Sequence, residues 1–132
     1  MIPKIGIVGI NGFGATHGRV ILNLMAKGDI KCVAFADIKV DTEGEVYRGL
    51  TENGAKHYRD YRDMLEVHTD LDFVVISTPI ALHMPMAVET LNRGFNVLLE
   101  KPPAVTVQDI DDYSEENYQK ILDRIDETFN NL

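Results

Sequence analysis

The residues in this sequence that could do chemistry begin with a glycine-rich turn near the amino terminus. The turn follows a strand-like run, precedes a helical pattern and consists of Gly9, Ile10, Asn11, Gly12, Phe13 and Gly14. At such a turn, backbone N–H groups and the positive end of the helix can bind the pyrophosphate of a dinucleotide. The G-x-G-x-x-G spacing is met at Gly9 and Gly14, but its middle position is Asn11. A glycine turn alone is often only a tight turn, so the assignment needs further segments.

An acidic residue supports this assignment from the second predicted strand. Asp37 ends the run KCVAFAD, about twenty residues beyond the glycine turn, where a carboxylate accepts hydrogen bonds from ribose hydroxyls. A carboxylate repels a 2′-phosphate, so the sequence predicts NAD rather than NADP as the cofactor, although the nearby Lys39 softens this preference. The alternative is a solvated aspartate that caps the following loop.

Two later segments carry a resemblance to a known family. One strand runs into Ser77, Thr78, Pro79 and, four residues later, His83, and the next strand runs into the sequence EKPP at 100–103. Together with IGIVG, the glycine turn, His17 and Asp37, these segments resemble the Gfo/Idh/MocA oxidoreductases over roughly residues 3 to 113. The matching positions are Thr78, Pro79, His83, Glu100, Lys101 and Pro102. Ile80 departs from the family, which frequently has Asn there.

The resemblance implies a function and a set of site residues. It implies transfer of a hydride between nicotinamide and a sugar-like or polyol-like alcohol, with Lys101 next to the nicotinamide as the proton relay. It also implies a cis peptide bond before Pro102, and cofactor contacts from Ser77, Thr78, Pro79, His83, Glu100 and Lys101. Glu100 is expected to contact the cofactor or to orient the lysine rather than to act as an independent base. Lys101 and His83 have plainer alternatives, a solvated lysine and a histidine that caps or packs.

The elements that must position these residues alternate between strands and helices. Strand patterns cover Lys4 to Gly9, Lys31 to Asp37, Asp72 to Ser77 and Asn96 to Glu100, with a weaker one at Ala55 to Tyr58. Helical spacing precedes Gly28 and Gly94, which are predicted to end their helices. We therefore predict an α/β fold, a doubly wound parallel sheet of the Rossmann type with three α/β/α layers, forming one dinucleotide-binding domain over residues 1–132.

The carboxyl-terminal part departs from the family pattern. Residues 1–113 fit the Rossmann core, whereas residues 114–132 predict an additional amphipathic helix whose apolar face is covered by the sheet's flank or by another chain. The substrate domain that family members carry has no counterpart in the sequence. We therefore expect cofactor binding from this chain, but no complete turnover by it alone.

Composition and charge limit the other classes of function. Of the net charge of −8, residues 109–132 contribute −6 from eight acids and two bases, and no basic stripe for nucleic acid is present. The four histidines are scattered, so we predict no metal site. Cys32 is expected to pack in the core. Without a long apolar run or a signal-peptide pattern, we expect a cytoplasmic protein that does not enter the membrane; a homo-oligomer is left open.

Two other functions are considered. The sequence INGFG also begins glyceraldehyde-3-phosphate dehydrogenases, but those enzymes need a nucleophilic cysteine, whereas Cys32 lies inside a predicted strand. A non-catalytic NAD-binding or redox-sensing module is the second alternative, and the missing substrate domain favours it.

Overall fold

The structure is a computed structural model that describes residues 1–102, apart from the side chain of Phe13. The helix predicted over residues 114–132 lies outside the described residues. Within the described part, every helix is too short or too polar to cross a lipid bilayer. The elements in chain order are β1 (Lys4–Val8), α1 (Phe13–Ala26), β2 (Lys31–Ala36), α2 (Glu45–Glu52), β3 (Lys56–Tyr58), α3 (Tyr61–Val67), β4 (Phe73–Ile76), α4 (Ile80–Asn92) and β5 (Val97–Leu99).

The strands form one parallel sheet in the order β3-β2-β1-β4-β5. This confirms the predicted doubly wound topology, since the chain moves outward from β1 to β3 and then crosses back to β4 on the other side of β1. In such sheets the strand order reverses beside the first strand, and ligands bind in the crevice beyond the carboxyl ends of the strands there. The fold therefore places the loops after β1 and β4 next to each other.

Both faces of the sheet are covered, which explains why the strands are apolar on nearly every residue. Alternate side chains point to opposite faces, so each strand contributes to two cores. One core, under α1 and α2, includes Ile5, Ile7, Ile21, Cys32, Phe35, Val46, Leu50 and Val75. The other, under α3 and α4, includes Val8, Ala36, Met64, Leu65, Val74, Ile76, Leu82 and Met86. Cys32 is fully buried, as predicted for a core cysteine.

The two longest helices end as the sequence predicts. Gly28 follows the last residues of α1 with a φ of 78°, and Gly94 follows α4 with a φ of 92°. Glycine adopts this left-handed conformation without the steric cost that other residues meet, so it ends helices readily. Each helix thereby returns the chain to the sheet at the start of the next strand.

Candidate functional site

A cavity of about 790 Å³ lies at the carboxyl ends of the strands. Its walls come from the loops that follow all five strands, and they include Gly9, Gly12, Asp37, Arg59 and Lys101. The four segments singled out by the sequence therefore meet in one place. This is the position at which parallel open sheets bind their ligands.

The glycine turn is packed tightly on one side and open on the other. A Cβ atom on Gly14 would lie 2.4 Å from the carbonyl oxygen of Gly9, so no larger residue fits there without a shift of the loop. Gly12 has a φ of 57°, and in the described part of the chain nothing beyond its two neighbours lies within 4 Å of an added Cβ. α1 begins at this point without a hydrogen bond from a capping side chain. The first N–H groups of a helix are free of intrahelical partners and attract anions.

Asp37 is bound to the glycine turn. Its Oδ2 accepts hydrogen bonds from the backbone N–H of Ile10 at 2.9 Å and from the side-chain amide of Asn11 at 3.2 Å. Its Oδ1 accepts one from the backbone N–H of Lys39 at 3.1 Å. The carboxylate thus fixes the turn after β1 against the turn after β2. Two of its protein contacts fall on Oδ2 and one on Oδ1, so Oδ1 can accept a further hydrogen bond from a ligand hydroxyl.

A histidine also holds the backbone of Asp37. His57 Nε2 donates to the Asp37 carbonyl oxygen at 3.0 Å. The His57 ring stacks on Phe35, with ring centroids 5.2 Å apart, and meets Tyr47 edge-on. The sequence patterns assign His57 no role, because its contact depends on the pairing of β2 with β3.

The loop after β4 has mainly internal contacts. The Ser77 hydroxyl donates a hydrogen bond to the carbonyl oxygen of Gly9 at 3.0 Å, so it connects the loop after β4 to the glycine turn. Pro79 immediately precedes α4. His83, in the first turns of α4, is buried, and its two ring nitrogens lie 2.7 Å from the Pro102 carbonyl oxygen and 2.6 Å from that of Thr78. His83 thus joins the loop after β4 to the turn after β5.

The end of β5 carries Glu100 and Lys101. The Glu100 carboxylate contacts the imidazole of His17 on α1, and its Oε1 accepts the Lys101 backbone N–H at 3.0 Å. The pKa of Glu100 is lowered, first by the His17 hydrogen bond and then by the Lys101 N–H, with smaller contributions from the charges of His17 and His83. The peptide bond between Lys101 and Pro102 is cis, as the resemblance implied. The Lys101 side chain is exposed and lines the cavity.

The structure brings most of the predicted residues to the cavity, but not all. Gly9, Asn11, Gly12, Asp37, Ser77, Thr78, Pro79, His83, Glu100 and Lys101 line it. Ile10 is buried and offers only its backbone, Gly14 packs against Gly9, and the side chain of Phe13 lies outside the described part. Cavity residues that the sequence patterns do not mark are Ile38, Arg59, Tyr61, Leu82 and Met86. Arg59 and Tyr61 follow β3 directly, so the rule that sites form at strand ends could have located them.

Residues 3–120 match the model of an oxidoreductase family described as Gfo/Idh/MocA, NAD-binding Rossmann fold. The chain is 35% identical over 111 residues to inositol 2-dehydrogenase of Salmonella typhimurium, an alignment that covers 83% of this chain and 31% of that protein. It is also 29% to 47% identical over 119 residues to glycosyl hydrolase family 109 proteins of Shewanella baltica strains, covering 82% of this chain and 24% of those proteins.

A solved structure agrees with these sequence matches. The structure of scyllo-inositol dehydrogenase from Lactobacillus casei, with bound NAD(H) and scyllo-inositol, matches with a TM-score of 0.69 and 28% identity. The match covers 100% of this chain and 35% of that one. The chain thus spans about a third or less of the length of the relatives it matches.

Proposed function

This chain belongs to the Gfo/Idh/MocA oxidoreductase family, and we propose that it binds NAD(H) and serves the transfer of a hydride to or from a sugar-like or polyol-like alcohol. The observation that carries the proposal is the meeting of the glycine turn, Asp37 and Lys101 in one cavity. In the relatives that resemble it, inositol dehydrogenases, the same architecture belongs to an NAD-dependent reaction on a ring alcohol.

The residues present fit a dinucleotide. The start of α1, which has no hydrogen bond from a capping side chain, and the turn at Gly12 would take the pyrophosphate, since both offer backbone N–H groups. Asp37 Oδ1 would accept an adenosine ribose hydroxyl, because it accepts one hydrogen bond from the protein whereas Oδ2 accepts two. The same carboxylate disfavours a 2′-phosphate, which supports NAD over NADP.

Lys101 is proposed to move the proton. A bound nicotinamide would supply the hydride acceptor or donor, so the alcohol oxygen would have to lose or gain a proton in the same reaction. An ammonium or amine at the end of β5 can hydrogen-bond that oxygen and exchange the proton with it. Glu100 holds the backbone of Lys101 and pairs with His17, so we assign it an orienting role rather than that of a second base.

Direct binding tests the cofactor assignment. Titration with NADH, followed by its fluorescence, is expected to saturate for this chain at submillimolar concentration, the range of about 1 μM to 1 mM that is usual for enzyme ligands. Absence of a saturable signal at millimolar NADH would remove the proposal. Asp37→Ala should weaken the signal, and its matched control is Asp41→Ala, which removes a carboxylate that accepts the neighbouring Glu43 N–H.

Glycoside cleavage is a second candidate, favoured by the identity of up to 47% to glycosyl hydrolase family 109 proteins. Some glycosidases depend on NAD, and such an enzyme returns the hydride to the sugar within each cycle. A polypeptide that combines this chain with a substrate domain, called the full-length polypeptide below, should therefore be assayed with inositols and with aryl glycosides. NADH that accumulates with alcohol turnover supports the dehydrogenase, aglycone release without net NADH supports the hydrolase, and NADH binding without either supports a non-catalytic module.

A further inference from the structure

His83 is a buried histidine between two hydrogen-bond acceptors. Its side chain is 1% exposed. Nδ1 lies 2.7 Å from the carbonyl oxygen of Pro102, and Nε2 lies 2.6 Å from that of Thr78. Both distances are at the short end of the range for N–H···O hydrogen bonds, about 2.7 to 3.2 Å.

The two acceptors determine how many protons the ring must carry. A neutral imidazole has one N–H donor, and its other nitrogen presents a lone pair. Against a carbonyl oxygen at such a distance, that lone pair would be repelled, and the carbonyl would lose its partner. Only the imidazolium, with an N–H on each nitrogen, donates to both carbonyls at once.

We propose that His83 is a positioning residue held as an imidazolium, which fastens the turn after Lys101 to the end of β4. Its two donors join Thr78, after β4, to Pro102, the residue that follows Lys101. With both nitrogens engaged by the protein, His83 acts through Lys101 and makes no polar contact with the cofactor. The inference rests on the proposed function only for the task given to Lys101.

The charges around His83 are compatible with a cation. Glu100 lies close enough for the charge of His83 to contribute to lowering the pKa of that carboxyl group. Glu100 is shared with His17 and is therefore an anion that faces two imidazoles. The positive amino-terminal end of α4 and the charge of Lys101 disfavour a cation at His83. A buried cation there therefore needs both carbonyl acceptors and the Glu100 carboxylate to stabilise it.

Nitrogen NMR of the wild-type chain tests the protonation directly. In protein labelled with ¹⁵N-histidine, long-range proton–nitrogen spectra distinguish an imidazolium from either neutral tautomer, and the signal that disappears in His83→Gln identifies the residue. We expect the two-proton pattern for His83 at neutral pH, because both of its ring nitrogens face carbonyl oxygens. A neutral pattern at that pH would overturn the proposal. This result does not depend on NADH binding, so its failure differs from failure of the proposed function.

The positioning role is tested on Lys101. In His83→Gln, amide hydrogen exchange of Lys101, whose N–H is bound to Glu100, should be faster by about ten-fold, because hydrogen bonds from a charged donor are lost from the turn. Val75, in the centre of β4, should keep its exchange rate, since its protection depends on the sheet and not on this turn. Equal acceleration of both amides, or of neither, would contradict a positioning role. His68→Phe, which removes a histidine paired with Tyr58 outside the cavity, is the control.

Turnover supplies a second readout in the full-length polypeptide. Because His83 acts on the residue proposed to move the proton, His83→Gln should lower kcat and leave the dissociation constant of NADH within about two-fold of wild type. A variant that loses NADH affinity and keeps kcat would instead make His83 a cofactor contact and overturn the proposal. If His83→Gln does not fold, the His83 signal is identified as the one that remains in each of His17→Gln, His57→Gln and His68→Phe, the other three histidines of the chain, and the wild-type spectrum then decides the protonation state.

Discussion

The imidazole of His17, in the second turn of α1, contacts the carboxylate of Glu100 at the end of β5. The helix that follows the glycine turn is thereby joined to the strand that carries Lys101. The two side chains are about equally exposed, 31% for His17 and 27% for Glu100, so solvent reaches the pair.

This pair leads to a prediction about acid stability. The pKa of Glu100 is lowered from its usual 4.5, first by the His17 hydrogen bond. A carboxyl group with a pKa lowered by folding stabilises the native state fully above its unfolded-state pKa, and this contribution is lost as the pH falls through the folded-state pKa. We expect the urea midpoint of unfolding to decrease as the pH is lowered below about 5, and to decrease less in Glu100→Gln than in the wild type. Parallel pH dependences for wild type and Glu100→Gln would contradict this; Glu66→Gln, an exposed site on α3, is the control.

Replacement of Asp37 should weaken NADH binding and reduce the preference for NADH over NADPH. Asp37→Ala removes the acceptor for the Ile10 N–H and for a ribose hydroxyl, so the dissociation constant of NADH should rise about 10- to 100-fold, as for hydrogen bonds to a charged group. NADPH should bind the wild type more weakly than NADH, and the difference should narrow in Asp37→Ala. Fluorescence titrations with both nucleotides measure this. Unchanged NADH affinity would remove Asp37 from the site.

A methyl group on Gly14 should disturb both stability and binding. Its Cβ would meet the Gly9 carbonyl oxygen at 2.4 Å, so the turn must shift, at a typical cost of about 1 to 3 kcal/mol for overpacking. Gly28→Ala is the matched control, since Gly28 has a positive φ but no atom within 4 Å of an added Cβ. Gly14→Ala is expected to lower the unfolding temperature and NADH affinity, and Gly28→Ala only the former. Equal NADH affinities in the two variants would show that the close approach does not shape the site.

Lys101 should matter for turnover more than for cofactor affinity. In the full-length polypeptide, Lys101→Ala should lower kcat by about two to four orders of magnitude, the usual range for loss of a general acid or base. NADH affinity should change little. Steady-state kinetics and a fluorescence titration of the same variant provide the comparison with Lys27→Ala, an exposed site at the end of α1. An active Lys101→Ala enzyme would end the assignment of Lys101 as proton relay.

Cys32 should be inert in the native protein. Burial raises the pKa of its thiol to about 12, so the thiolate that reacts with disulfide reagents is nearly absent at neutral pH. A chromogenic disulfide should therefore label Cys32 only in denaturant. Rapid labelling of the native chain would show that β2 opens.

The strands were predictable because each is buried on both faces and therefore apolar throughout. The predicted limits of β1, β2, β4 and β5 differ from the observed ones by a residue or so at their ends. β3 was the weak prediction, and the structure gives it three residues at the edge of the sheet. The short helices α2 and α3 were not marked, since eight and seven residues hold too few turns for a clear periodicity.

The site was predictable where chain position decides it and not where side chains meet across the fold. Parallel strands share an edge, so Asp37 and Lys101 had to approach the glycine turn. The contact of His17 with Glu100 joins residues 83 positions apart, and the contact of His57 with Asp37 depends on ring stacking against Phe35. Neither leaves a spacing in the sequence that could be recognised.

Because all five strands are parallel, the cavity at their carboxyl ends takes its walls from segments scattered over the whole described chain. A molecule bound there contacts several of these segments at once, so its binding is linked to the folded state of the sheet. Mass action then raises the unfolding temperature with ligand concentration. The shift of the unfolding temperature with different nucleotides can therefore be used to screen for the ligand that binds in this cavity.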